Sequence, residues 1–188
     1  GSSRLVVGDL AIHHELEARK ASFKQREAAR VFPAGYLTNI GTISALAGEG
    51  DAIISDSNNH ASLIDACRLS RAEVFVFKHN DMGSLREKLK ETEFFKHRLI
   101  VTESVFSIDG DIAPVGEIVE TAGEFDAWTM IDEAHATGII GPTGRGAEDL
   151  FKCNGGVDVV MGTLSKAVGS QGGFVAGSAG LVEFLTNT

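Results

Sequence analysis

The sequence predicts an α/β fold, three-layer α/β/α with a mostly parallel sheet, and three observations predict it. Seven short apolar runs, at 28–32, 51–55, 73–77, 99–102, 128–131, 157–161 and 174–176, have the length and composition of strands. Stretches of helical periodicity, at 37–47, 84–92 and 115–125, lie between most of them. The length of 188 residues, with 43% hydrophobic and 23% charged, suits one globular core without repeats or linkers.

Taken in order, Ile12, Leu16 and Phe23 recur at helical spacing, which predicts an amphipathic helix with its charges outward; Glu15 and Glu17 read as a solvated face. From residue 28 the chain alternates strand and helix. Crossover helices return the chain to the same end of the sheet, so successive strands run parallel. Ligands of such sheets sit beyond the carboxyl ends of the strands, which makes the polar residues after each apolar run the ones of interest.

Composition removes several functions. With 17 basic against 26 acidic residues the formal net charge is -9, and no basic run interrupts it, so nucleic acid is not an expected partner. Cys67 and Cys153 form no CxxC pair and no His/Cys cluster, which predicts neither disulfide nor metal site. No charged-then-apolar leader opens the sequence and no apolar run approaches the roughly 20 residues that span a bilayer. A cytoplasmic protein away from membranes is the expectation.

The strand at 129–131 runs into Asp132-Glu133-Ala134-His135, and the one at 159–161 runs into Gly162-Thr163-Leu164-Ser165-Lys166-Ala167. Alone, Lys166 reads as a solvated lysine in a glycine-rich loop. At a buried strand end, however, desolvation would lower its pKa and free the amine as a nucleophile. An amine and an acid at two strand ends are what a pyridoxal cofactor requires, one for its aldehyde and one to keep its pyridine nitrogen protonated. Phe32-Pro33-Ala34-Gly35-Tyr36 ends a strand and opens a helix, so the N–H groups of Gly35 and Tyr36 suit a phosphate, although an ordinary strand-to-helix turn has the same pattern. Gly169-Ser170-Gln171-Gly172-Gly173 leads back into a strand, which favours close backbone packing over a nucleotide loop.

Asp132-Glu133-Ala134-His135-Ala136-Thr137-Gly138 together with Gly162-Thr163-Leu164-Ser165-Lys166-Ala167 resembles the α-oxoamine synthase family, a branch of the fold-type-I pyridoxal-phosphate (PLP) enzymes. Gly1-Ser2-Ser3-Arg4, Asn59-His60-Ala61-Ser62, the segment from Glu103 to Asp111 and Gly144-Arg145-Gly146 match in the same order, so the resemblance covers essentially the whole chain. It implies that residues 1–188 are the cofactor-binding large domain, without the family's N-terminal segment and smaller C-terminal domain. It further implies that Lys166 holds pyridoxal 5'-phosphate as a Schiff base and acts as general base, and that Asp132 pairs with the pyridinium nitrogen. His135 would donate to the phenolic oxygen, although a merely packed imidazole is the alternative. His60 would stack on the ring, Ser107 would lie near the phenolic oxygen with Glu103 at the same strand end, and Thr163 would join Gly35 and Tyr36 at the phosphate. Asn59 reads as a turn residue, and His13, His14, His79 and His97 as surface or helix residues.

The reaction the resemblance implies is a decarboxylating condensation of an amino acid, alanine or glycine, with an acyl-CoA thioester by a homodimer. The segments Gly35 to Gly41, Asp65 to Ser70 and Gly162 to Gly169 look most like members that use L-alanine and a pimeloyl thioester. Members that use glycine and acetyl-CoA share nearly all of these motifs. A folded module that binds the cofactor without turnover, and a nucleotide-binding domain using the late glycines, are the readings from other classes.

Overall fold

The computed structural model describes residues 3–188, so Gly1 and Ser2 of the first motif lie outside the described residues. All seven expected strands form: β1 Ala28–Phe32, β2 Ala52–Asp56, β3 Glu73–Phe77, β4 Arg98–Glu103, β5 Trp128–Asp132, β6 Val159–Thr163 and β7 Gly173–Gly177. They make one sheet in the order β1-β7-β6-β5-β4-β2-β3. The neighbours β3, β2, β4, β5 and β6 pair in parallel, while β7 runs antiparallel to both β6 and β1. Four strands extend past their apolar runs to take in Asp56, Glu103, Asp132 and Thr163 as last residues. Their backbones stay in the sheet while their side chains reach its carboxyl edge.

Side-chain alternation builds the layers, because successive residues of a strand face opposite sides. Ile54, Ile100, Ile131 and Val160 point to one face, where they meet Leu85, Leu89 and Ile118 of α4 (Met82–Glu91) and α5 (Val115–Glu124). Ile53, Leu99, Val101, Met130, Val159 and Met161 point to the other, against Ile43 of α2 (Gly35–Leu46), Leu63 and Cys67 of α3 (Ala61–Ser70) and Leu181 of α7 (Ala179–Asn187). Each such aliphatic side chain contributes about 1.5–3 kcal/mol on burial. Periodicity did not mark α3, whose inward face is short and made of Leu63, Ala66, Cys67 and Ser70. A five-residue helix, α6 (Ala147–Phe151), completes the crossover from β5 to β6. No helix among the described residues is long and apolar enough to cross a membrane.

The first helix, α1 (Ala11–Lys24), is where the expectation and the structure part. Ile12 is 66% exposed, and the buried face is Glu17, Ala21 and Lys24, so two charges point inward. Each has a partner from elsewhere in the chain. Glu17 accepts from the Arg4 guanidinium at 2.6 Å and from the Val31 N–H at 2.9 Å, while Lys24 pairs with Glu133 and donates to the Arg145 carbonyl at 2.5 Å. Partners remote in sequence turn a face that reads as solvated into a buried one.

The late glycines allow α2 to approach the sheet. A Cβ on Gly173 would stand 2.2 Å from Thr38 Oγ1 and 2.9 Å from Gly35 Cα; one on Gly172, at φ 117°, would stand 2.9 Å from the Phe32 carbonyl oxygen. Close backbone packing is therefore their role, as the sequence reading has it. Gly173→Ala is expected to cost about 1–3 kcal/mol by forcing the start of α2 off the sheet. Urea unfolding measures this, and an unchanged midpoint would show that the contact is dispensable.

Candidate active site

Parallel register brings the site together. Asp132 ends β5 opposite Glu103 on β4 and opposite Met161 on β6, so two carboxylates lie side by side at the carboxyl edge. Both are buried, Glu103 at 2% and Asp132 at 5% exposure. Asp132 Oδ2 accepts from Asn39 Nδ2 at 2.8 Å and Oδ1 from the Ala134 N–H at 2.8 Å. Each carboxylate oxygen can accept twice, so Asp132 retains acceptor capacity. Asn39, on the inner face of α2, also donates to Ser62 Oγ of α3 at 2.9 Å. One amide thus clamps two helices to the end of the sheet.

Glu103 Oε1 accepts from the His60 N–H at 2.7 Å. Burial first, and then the neighbouring Asp132, push the Glu103 carboxyl up to about 7, against the opposing pull of the His60 N–H and Lys166. His60 is the N-cap of α3: its Nδ1 accepts from the Ser62 N–H at 3.1 Å, which leaves the ring exposed over the carboxyl edge. Asn59 is the turn residue the sequence suggests, and a buried one, accepting from the Glu103 N–H at 3.1 Å and donating to the Val101 carbonyl at 2.8 Å.

Lys166 follows β6 by three residues, in an exposed loop rather than at the buried strand end expected of it. Its Nζ lies 2.7 Å from His135 Nε2. Partial burial lowers the Lys166 pKa, with Asp132 and Glu103 working in the opposite direction; burial and then the Lys166 cation lower that of His135. The Lys166 cation thus disfavours a proton on His135, while partial burial eases loss of the proton from Lys166 itself. Glu133, adjacent to Asp132, faces away and pairs with Lys24.

Gly35 and Tyr36 are the first residues of α2, which starts two residues earlier than the helical pattern from Leu37 suggests and keeps their N–H groups in its first turn. Thr163 lies beside them: its Oγ1 is 3.3 Å from where a Gly35 Cβ would be, donates to the Gly172 carbonyl at 3.0 Å and meets Ser165 Oγ at 2.8 Å. The Tyr36 side chain turns away, its hydroxyl donating to Asp65 Oδ2 at 2.8 Å, so its backbone is what it can offer an anion. Ser107 is exposed on the turn after β4. The structure thus brings Lys166, His135, Asp132 and His60 to one edge, with Thr163, Gly35 and Tyr36 forming its α2 side and Ser107 on the turn beyond Glu103. Sequence reasoning missed Asn39 and set Glu103 below Ser107. The signal for Asn39 was a lone amide four residues into a mostly apolar helix. A groove lined by His97, Trp128, Leu181 and Phe184 lies at the opposite, amino-terminal end of β4 and β5.

Comparison with known proteins follows the same lines. The profile of the aminotransferase class I and II family matches residues 1–188. The chain is similar to 8-amino-7-oxononanoate synthase 2 of Bacillus subtilis strain 168, 50% identical over 98% of this chain and 47% of that protein. It is similar to 8-amino-7-oxononanoate synthase of Thermoanaerobacter pseudethanolicus, 48% identical over 100% of this chain and 48% of that protein. A high-resolution structure of SPT, serine palmitoyltransferase, with the PLP internal aldimine superposes with a TM-score of 0.96 at 38% identity, covering 100% of this chain and 47% of the other. The chain spans about half the length of the curated relatives it matches.

The raised pKa of Glu103 predicts a pH effect on stability. Between the ordinary glutamate value and about 7 the folded chain keeps a proton that the unfolded chain releases, so stability falls as pH rises through that window. Glu103→Gln keeps an acceptor for the His60 N–H and removes the titration. Relative to the parent, the variant is expected to gain on the order of 2 kcal/mol between about pH 5 and about pH 8. Parallel denaturation curves at the two pH values would refute the strained carboxyl.

Proposed function

Because this chain belongs to the aminotransferase class I and II family, we propose that it is the cofactor-binding domain of a pyridoxal-phosphate-dependent acyltransferase. Its reaction is the condensation of an amino acid with an acyl thioester, most specifically the 8-amino-7-oxononanoate synthase reaction of L-alanine with a pimeloyl thioester in biotin biosynthesis. The observation that carries this reading is the lysine–histidine pair of Lys166 and His135, 2.7 Å apart, at the edge where Asp132 and Glu103 end adjacent strands. The names of the relatives at about 50% identity support the choice of reaction, and the solved SPT neighbour that holds PLP supports the cofactor.

The donor set fits the cofactor group by group. An amine of lowered pKa suits an aldehyde, a buried carboxylate with spare acceptor capacity suits a protonated ring nitrogen, and imidazole suits a phenolic oxygen. The N–H groups of Gly35 and Tyr36 with the Thr163 hydroxyl suit a phosphate. When bound, the cofactor supplies an electron sink for the carbanion left by α-proton removal.

In this reading Nζ of Lys166 would hold the cofactor, and the free amine would serve as general base for the α-proton. Asp132, oriented by Asn39, retains the proton on the ring nitrogen. His135 and Ser107 would hold the phenolic oxygen, and the exposed His60 ring would pack on the cofactor. The same resemblance extends to a homodimer working in the cytoplasm. Glycine with acetyl-CoA, the 2-amino-3-ketobutyrate CoA ligase reaction, is the alternative substrate pair. Because the chain spans about half of its relatives' length, a module that binds the cofactor without turnover is the second reading.

Borohydride reduction of the chain with pyridoxal phosphate, followed by peptide mapping, is expected to label Lys166; a label on another lysine would sink the assignment. Thiol release from pimeloyl-CoA with alanine, or from acetyl-CoA with glycine, then separates the two reactions, and labelling without release leaves the binding module. Asp132→Asn is expected to keep part of the cofactor binding while slowing α-proton exchange of the amino acid by about a hundredfold or more. Exchange at the parent rate would remove Asp132 from its role.

A further inference from the structure

We infer that His79 is a positioning residue for this site, a bridge between the turn that carries His60 and the turn that carries Ser107, effective while both of its ring nitrogens are protonated. That the joined turns belong to a cofactor site rests on the function proposed above; the bridge itself does not.

Three strand ends meet at this histidine. β2 ends in Asp56, four residues before His60; β3 ends just before His79; and the turn after β4 folds back on itself. In that turn the Phe106 N–H donates to the Asp111 carbonyl at 3.0 Å and Gly110 N–H to the Phe106 carbonyl at 2.9 Å, with Ser107 between them. His79 Nδ1 lies 3.0 Å from Asp56 Oδ1, and Nε2 lies 2.8 Å from Asp111 Oδ2. The imidazole stands edge-on to Phe106, its centroid 4.4 Å away. The residue read from sequence as a surface or helix histidine is thus the contact through which two functional turns touch.

Both ring nitrogens face a carboxylate oxygen. A neutral imidazole has one N–H and one lone pair, so one contact would set a lone pair against a negative oxygen; only the imidazolium bonds both. Among the described residues, the charged side chains in contact with the ring are Asp56 and Asp111. Asn80, held in the left-handed region at φ 51°, reinforces the bridge by donating its N–H to Asp56 Oδ2 at 3.0 Å and its Nδ2 to Asp111 Oδ2 at 2.7 Å. Asp111 Oδ1 is buried without a hydrogen-bond partner, so the carboxylate depends on the histidine for its opposite charge. Burial works to lower the His79 pKa, and its bonds to Asp56 and Asp111 outweigh burial and hold it above the usual histidine value. The bridge is therefore complete below the ordinary histidine range and weakens as pH rises through the raised value.

The test uses the whole chain without cofactor, so that it stands apart from the functional reading. Backbone amide exchange is followed at 57–60 and 105–112, corrected for the intrinsic effect of pH, from about pH 6 to about pH 9. Protection in the parent is expected to fall about tenfold as the imidazolium titrates, while the amides of β4 and β5 keep theirs. His79→Gln is expected to exchange fast in both turns at every pH, with no step. Asp111→Asn, which leaves the more buried Asp56 in place, is expected to lose the step as well, and it decides the matter if the glutamine variant does not fold. Protection that is flat with pH in the parent, or a step that survives in Asp111→Asn, overturns the bridge. Weaker pyridoxal-phosphate retention in the folded variant, read by borohydride trapping, is expected in addition. Absence of labelling in the parent chain would count against the proposed function alone, since the exchange result does not depend on it.

Discussion

Two carboxylates, Glu103 and Asp132, end adjacent parallel strands in register, and the site is organised around that constraint. Like charges side by side and away from water repel, and burial penalises each separately. The surroundings answer unequally. Asp132 receives the Asn39 amide and the Ala134 N–H, whereas Glu103 receives the His60 N–H, and its pKa rises to about 7. The asymmetry divides the two: Asp132 is held by two donors, and its neighbour can take up a proton near neutrality. The same donors anchor the helices, since Asn39 belongs to α2 and His60 caps α3.

Electrostatics also explains why Lys166 needs no deep burial. Its amine lies against His135; partial desolvation lowers its own affinity for a proton, and its positive charge lowers that of His135. An exposed loop keeps Nζ accessible, which the proposed covalent attachment of the cofactor requires. Rigidity comes from beneath the loop, where Thr163 and the Gly172 carbonyl join β6 to the glycine turn. Facing away from the site, Lys24 with Glu133, and Arg4 with Glu17, satisfy charges that α1 carries inward. Breaking either pair would strand a buried charge, which costs more than the pair itself contributes.

What could be read in advance follows the range of the interactions concerned. The strands were legible because runs such as Ile53-Ile54 and Val159-Val160-Met161 carry their signal within a few residues. The strand-to-helix turn at Gly35 and Tyr36 was equally local, although α2 itself starts two residues before the expected Leu37. The inward face of α1 was not, because Glu17 and Lys24 are buried only by virtue of Arg4, Val31 and Glu133. Glu103 was undervalued for the same reason: its perturbation comes from a neighbour 29 residues further along, brought alongside by strand pairing. His79 read as an ordinary histidine until three strand ends converged on it.

By itself the sequence determined the architecture and the chemical inventory: an alternation of strands and helices, and a lysine, an aspartate and histidines just past strand ends. Those properties are local, set by backbone propensity and side-chain periodicity. The tertiary structure alone decided which groups share a proton, which face water and which lean on one another. Glu103 beside Asp132, Asn39 reaching across from α2, and His79 between Asp56 and Asp111 are pairings across the sheet. Electrostatic energies depend on distance and burial in three dimensions, and neither is encoded by separation along the chain.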